Sequence, residues 1–301
     1  MARLAADSHL PAPETTEEHM TTDGMLRLFT LREGRQEKMP LVLLHGFPLD
    51  HRMWHDVTDL LAGDRTVLAP DLPGFGASPT GPDIARTLSA DVATPSVDVM
   101  ADGVAAVLRA EGVERAVVAG LSMGGYVAMA LLERHPDLVA GIGLVDTKST
   151  ADDDGARAKR FEVARTVRAE MRVDAVFGMR TSVLGATNRI ARPDLVERIE
   201  RWIRDQGPEA VAWAQEAMAD RPDRTRVLEG YTGPAVVVVG DEDELSPVPA
   251  AEHMVGALRE AELVVVRGAG HMTPNESPEP VASALATLLR RADRAAVPGQ
   301  A

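Results

Sequence analysis

The 301-residue chain contains no cysteine, so disulfides and thiolate metal sites are excluded, although this alone does not decide the compartment. Lysine is nearly absent too: only Lys38, Lys148 and Lys159 occur. No apolar run approaches the ~20 residues of a membrane-spanning helix. Positive charge is in deficit, with 32 basic against 46 acidic side chains and a formal net charge of -14. Nucleic acids and anionic membranes are therefore not expected partners. The first twenty residues, acidic around Glu14, Glu17 and Glu18, lack the apolar core of a signal peptide, and the expected location is cytoplasmic.

The hydrophobic share, 45%, is that of an ordinary core. Residues 1–20 read as a disordered tail, and Asp23-Gly24 as a hairpin turn into a strand over Met25–Leu31. Leu41–Leu44 is an apolar run of the kind found in a buried parallel strand. A helix over Met53–Leu61 and a strand over Thr66–Ala69 follow, then a long loop over 77–95. Val97–Ala110 has helical periodicity, and further strands are expected from Val117 into the Gly120-Leu121-Ser122 turn and over Gly141–Val145. From Thr147 to Tyr231 strand signals give way to helices over Ala156–Met171, Asp194–Asp205 and Glu209–Ala219. Alternation resumes with strands over Ala235–Val239 and Leu263–Val266 and helices over Ala250–Leu258 and Pro280–Arg290. The expected fold is α/β: a mostly parallel twisted sheet, helices on both faces, and an inserted helical cap. Residues 21–149 and 231–294 form its core, 150–230 the cap and 295–301 a tail.

The stretch Val117 to Tyr126 concentrates the chemistry. A strand runs into Gly120-Leu121-Ser122-Met123-Gly124 and a helix follows at once, so the chain reverses within about one residue. That turn strains Ser122 and exposes its hydroxyl, while Gly120 and Gly124 leave room where a Cβ would collide. A serine hydroxyl needs a base. Of eight histidines, His9 and His19 fall in the tail, His135 suits a helix end, and His253 lies on a helix. His51 and His55 have metal-ligand spacing but no evident third ligand, so neither metal nor cofactor is expected. His271 follows a strand through Arg267-Gly268-Ala269-Gly270, at the carboxyl edge where ligands collect in such sheets. It is the expected base. Asp243, just beyond the preceding strand, is the expected orienting acid, with Asp146 and Asp241 as rivals. The backbone N–H of Met123 and that of Phe47, which lies between Gly46 and the donorless Pro48, are the expected oxyanion donors.

These residues resemble the α/β-hydrolase fold family. The resemblance spans about 21–294. It rests on His45-Gly46-Phe47-Pro48, on Asp71 to Gly76, on Gly120 to Gly125, on Gly240 to Asp243 with Pro247, and on Gly270-His271-Met272. It implies a Ser-His-Asp triad and hydrolysis of a small carboxylic ester or lactone through an acyl-enzyme. Serine rather than aspartate at the elbow argues against haloalkane dehalogenases and epoxide hydrolases. Pro48 is similar to the cofactor-free haloperoxidase and perhydrolase branch. Perhydrolysis or C–C hydrolysis on the same triad is thus one alternative, and a non-catalytic ligand-binding protein on this fold another.

Trp54, Phe177 and Trp213 are candidate substrate contacts. Between Gly155 and Arg204 twelve basic residues face six acidic ones. The plain interpretation is a set of solvated helix faces carrying ion pairs. The sharper one is recruitment of an anionic partner, either a carboxylate substrate or an acyl carrier protein.

Overall fold

The computed structural model describes residues 19–20, 24–35, 37–89 and 94–296. The expected tails (all but His19–Met20 of the first, and 297–301) and Asp23 of the expected hairpin lie outside these residues. The strands are β1 (His19–Met20), β2 (Leu28–Arg32), β3 (Leu41–Leu44), β4 (Val67–Pro70), β5 (Ala116–Leu121), β6 (Val139–Val145), β7 (Ala235–Gly240) and β8 (Ala261–Val266). They form one sheet in the order β1-β2-β4-β3-β5-β6-β7-β8. β1 and β2 pair antiparallel, β2 joins β4 antiparallel, and every pairing from β4 to β8 is parallel.

Burial explains the composition of the strands. β3, β4, β5, β6 and β7 are buried at every position, because helices cover both faces, and such strands read as unbroken apolar runs. On one side Val97–Ala110 packs on Met123–Arg134; elsewhere His55–Leu60 packs on Pro278–Ala296. β8 is an edge strand with half its surface open: Val265 is exposed. Among the described residues no helix is long and apolar enough to cross a membrane.

Differences from expectation are local. The loop expected over 77–95 contains a helix, Gly81–Thr87, whose first turn holds Pro82 and whose N-terminus is capped by Thr80 accepting the Asp83 N–H. Gly-Pro reads as a loop, but Pro at a helix start costs no hydrogen bond. The elbow helix begins at Met123 itself. Between β6 and β7 the three expected helices are present as Asp154–Glu170, Pro193–Arg204 and Pro208–Ala219, joined by short helical turns at Met179–Ser182, Ala186–Ala191 and Thr225–Glu229. Pro193–Arg204 buries Leu195, Ile199, Trp202 and Ile203 along one side, the stripe that ties a surface helix to its neighbours.

Candidate active site

Ser122 occupies the turn between β5 and the elbow helix with φ +52° and ψ −112°, a conformation that costs a non-glycine residue about 1–3 kcal/mol. Close packing imposes it. A Cβ on Gly120 would lie 2.1 Å from the Gly124 carbonyl oxygen, and one on Gly124 would lie 2.2 Å from that of Leu44. The β3 end, the β5 end and the elbow helix thus meet backbone to backbone. The Ser122 carbonyl accepts the Gly125 N–H at 2.9 Å and the Thr147 hydroxyl at 2.8 Å, which fixes the turn from both sides.

The loop after β3 lies against this elbow: a Cβ on Gly46 would sit 3.6 Å from that of Ser122. Buried His45 holds the loop. Its Nε2 accepts the Leu72 N–H at 2.8 Å, so Nδ1 carries the proton and donates to the Gly46 carbonyl at 3.0 Å. Burial lowers the pKa of His45, outweighing the nearby Asp71 charge. His45 is therefore a neutral structural imidazole. Asp71 accepts from the backbone and Nδ1 of His51 at 2.9 and 2.8 Å and from the Ala77 N–H at 3.0 Å. Asp50 and Asp71 stand beside His51 as possible metal ligands that the sequence did not reveal, but Arg52 already holds Asp50 through two nitrogens at 2.8 and 2.7 Å. A carboxylate clasped by a guanidinium is a poor metal ligand.

At the carboxyl ends of β7 and β8, Asp243 Oδ2 accepts from His271 Nδ1 at 2.8 Å. Its other oxygen accepts the N–H groups of Leu245 and Ser246 at 2.8 and 3.0 Å. Burial disfavours the Asp243 charge, yet the His271 bond and these amides outweigh it, and its pKa is lowered. Burial likewise opposes the His271 charge, and the bond to Asp243 with the charges of Asp243, Asp146 and Glu276 raises its pKa overall. The rivals have other partners. Asp146, with φ +44° at the end of β6, accepts from Gly240 N–H at 3.1 Å and from the N–H and hydroxyl of Thr273 at 3.0 and 2.7 Å. Burial and then the Asp243 charge push its carboxyl up to about 7. Asp241 accepts the Gly268 N–H at 2.7 Å and braces the Gly-rich loop.

Sequence reasoning missed Glu276. One of its oxygens accepts the N–H groups of Gly270 and Met272 at 2.8 and 3.2 Å; the other accepts from Gly185 N–H and Asn188 Nδ2 at 2.9 and 2.8 Å. The His271 N–H also donates to the Val183 carbonyl at 2.8 Å. The histidine loop is thus stitched to the helical insert by a buried carboxylate. No local sequence signal marks it, since its partners lie up to 91 residues away.

Ser122 and His271 line one cavity of about 350 Å³, with Phe47, Tyr126, Leu245 and Ser246 from the sheet side and Val163, Met179, Gln215 and Met218 from the insert. Met123, which follows Ser122, is fully buried. The three aromatic substrate contacts expected above are not among the lining residues. Trp54 is core, at 0% exposure. Trp213 lies in a separate cleft near Gly81, Pro95 and Arg168, its ring where a Gly81 side chain would be. Phe177 lies at another open cleft, under the Arg204 guanidinium at 4.5 Å.

The model of the alpha/beta hydrolase fold matches residues 39–278. The chain belongs to the α/β-hydrolase family. Solved α/β-hydrolases include a thermophilic esterase from Thermogutta terrifontis in a malate-bound form, 34% identical, covering 92% of this chain and 97% of that one with a TM-score of 0.81. Among curated members, a pimeloyl-[acyl-carrier protein] methyl ester esterase of Aromatoleum aromaticum is 28% identical over 83% of this chain and 98% of its own. A 2-succinyl-6-hydroxy-2,4-cyclohexadiene-1-carboxylate synthase of Enterobacter sp. is 30% identical over 86% and 95%. Within the family, then, comparable similarity reaches both an esterase and a synthase.

Proposed function

We propose that the protein is a serine hydrolase that cleaves a small carboxylic ester or lactone through an acyl-enzyme on Ser122. The observation that carries this reading is the 2.8 Å hydrogen bond from His271 Nδ1 to Asp243, on an imidazole that shares its cavity with Ser122. With Nδ1–H held by a carboxylate, Nε2 is the basic nitrogen. It takes the Ser122 proton as Oγ attacks the carbonyl carbon. The oxyanion is received by the N–H groups of Phe47 and Met123. Imidazolium then protonates the leaving alcohol; the neutral imidazole so restored deprotonates the water that attacks the acyl carbon, and returns that proton to Ser122 Oγ as the acid leaves. The helical insert acts as the cap that excludes bulk water from these steps.

Esterase kinship supports the ester over other bonds. A lactone fits the same chemistry, since its leaving alcohol stays tethered to the acyl group. The synthase relative supports a second reading in which the same site serves a reaction other than hydrolysis. The carrier-protein reading of the insert loses ground, because ten of its twelve cations pair with carboxylates, among them Arg157–Asp220, Arg168–Glu209 and Arg198–Asp56. The test is fluorophosphonate labelling together with a panel of esters and lactones, with and without peroxide. Labelling and turnover that both vanish in Ser122→Ala are expected. Turnover that persists in Ser122→Ala would refute the mechanism.

A further inference from the structure

The cavity above Ser122 is not electrically neutral. Its lining includes Lys148, Lys159 and Arg160 but a single carboxylate, Asp152. Lys159 reaches outward to exposed Glu162 at 2.9 Å. The remaining charges converge on one point. Asp152, its side chain 1% exposed, receives Arg160 Nε at 2.5 Å, Arg221 Nη2 at 2.8 Å and Lys148 Nζ at 3.4 Å. One anion therefore serves three cations. Arg221 is buried behind the wall, stacked on the Tyr126 ring at 4.0 Å, and Arg160 is further held by Gln215 at 3.1 Å. Lys148 is the least committed: its ammonium has three donors and Asp152 engages it only at long range.

Lys148 is also close to the chemistry along the chain. It directly follows Thr147, whose hydroxyl bonds the Ser122 carbonyl, and consecutive Cα atoms are only ~3.8 Å apart. A surplus of positive charge on a partly buried, mostly apolar wall is costly unless an anion completes it, and low-dielectric walls strengthen the attraction for one. Burial would raise the Asp152 pKa, yet Arg221 and Arg160 hold it far below the usual range, so the carboxylate supplies no donor of its own.

We propose that Lys148 and Arg160, braced by Asp152 and Arg221, form an anion subsite beside Ser122, and that the substrate carries a carboxylate besides its scissile ester. This rests on the hydrolytic reading above.

The test compares esters matched in shape but not in charge: monoethyl adipate against ethyl hexanoate, and 4-acetoxybutyrate against pentyl acetate. In at least one pair the carboxylate member should show the higher kcat/KM by about tenfold or more, as expected for a charge-assisted contact, with the preference shrinking as salt rises. Lys148→Met should erase most of that ratio, and Lys148→Glu should turn it toward ethyl 6-aminohexanoate. Arg165→Gln, an exposed change on the same helix as Arg160, should leave the ratio as in the unaltered enzyme. Neutral esters favoured in both pairs, or a carboxylate preference that survives Lys148→Met, would overturn the subsite. If no ester is turned over at all, the hydrolytic reading fails separately, and calorimetry with adipate decides the subsite: binding lost in Lys148→Met supports it, and no binding to the unaltered protein ends it.

Discussion

The sheet edge that carries Ser122, Asp243 and His271 and the helical insert above it are built from different kinds of polar contact. At the edge, carboxylates are buried and accept backbone N–H groups: Asp71 from His51 and Ala77, Asp243 from Leu245 and Ser246, Asp146 from Gly240 and Thr273, Glu276 from Gly270 and Met272. In the insert, arginines meet carboxylates mostly at the surface, as in Arg192–Asp194 and Arg204–Glu200. The first arrangement fixes atoms, because a buried acceptor left unpaired costs ~1–3 kcal/mol and each amide has one place to point. The second fixes little, since solvent screens the charges and exposed pairs contribute ~0–1 kcal/mol. Precise geometry resides in the edge, and the insert gives shape and local charge.

The comparison can be broken from the edge downward. Ser122→Ala should lower kcat on any ester substrate by about 10⁴-fold or more, and phosphonate labelling should disappear with it. Asp243→Asn should cost about 10³–10⁴-fold by leaving the wrong imidazole tautomer. If Asp146→Asn proves the more damaging of the two, the acid has been misassigned. The acid limb of the pH–kcat/KM profile should lie above the ordinary imidazole value, because the base must be neutral and the His271 pKa is raised. Asp146, pushed up to about 7, carries part of its charge in this range and contributes to the raised His271 value, so Asp146→Asn should move that limb slightly to lower pH.

A further test lies where the two regions meet. Asp50, 1% exposed at its side chain, binds Arg52 on its own loop and Gln206 of the insert. Burial opposes its charge, but the Arg52 bond prevails and holds the carboxyl at about 2. A lowered folded-state pKa stabilises above the unfolded value near 3.8, and that stability is lost as pH falls toward 2. Asp50→Asn should therefore cost about 2 kcal/mol at neutral pH and flatten acid unfolding in that window, as read by denaturant titration. At the far end, Arg192→Ala should change stability by less than about 1 kcal/mol. A larger loss there would show that the insert is organised by its surface pairs after all.

The elements differ in how visible they were. β3 and the helix Val97–Ala110 have the bounds read from sequence, because a short apolar run between Pro40 and His45-Gly46 suits a buried strand by length and flanks, and a two-sided helix repeats its apolar residues at helical spacing. Ser122, Asp243 and His271 were legible because each sits beside turn residues that the backbone itself demands. Trp54, Phe177 and Trp213 were misplaced because large aromatics look alike whether they line a cavity or fill a core. Glu276 and the cluster about Asp152 left no trace in local pattern, because the partners that complete them, Gly185 and Asn188 for the first and Arg221 for the second, come from distant segments.

From the sequence alone came the sheet, the strained serine and the histidine and aspartate expected to serve it, since each follows from backbone constraints acting over a few residues. Only the tertiary structure decided which acid touches His271, that His45 is neutral and structural, and that Lys148 and Arg160 of the cavity wall converge with buried Arg221 on one carboxylate. Those facts depend on where separate segments meet, and on how burial and neighbouring charge then set each group's protonation. No stretch of sequence specifies either by itself.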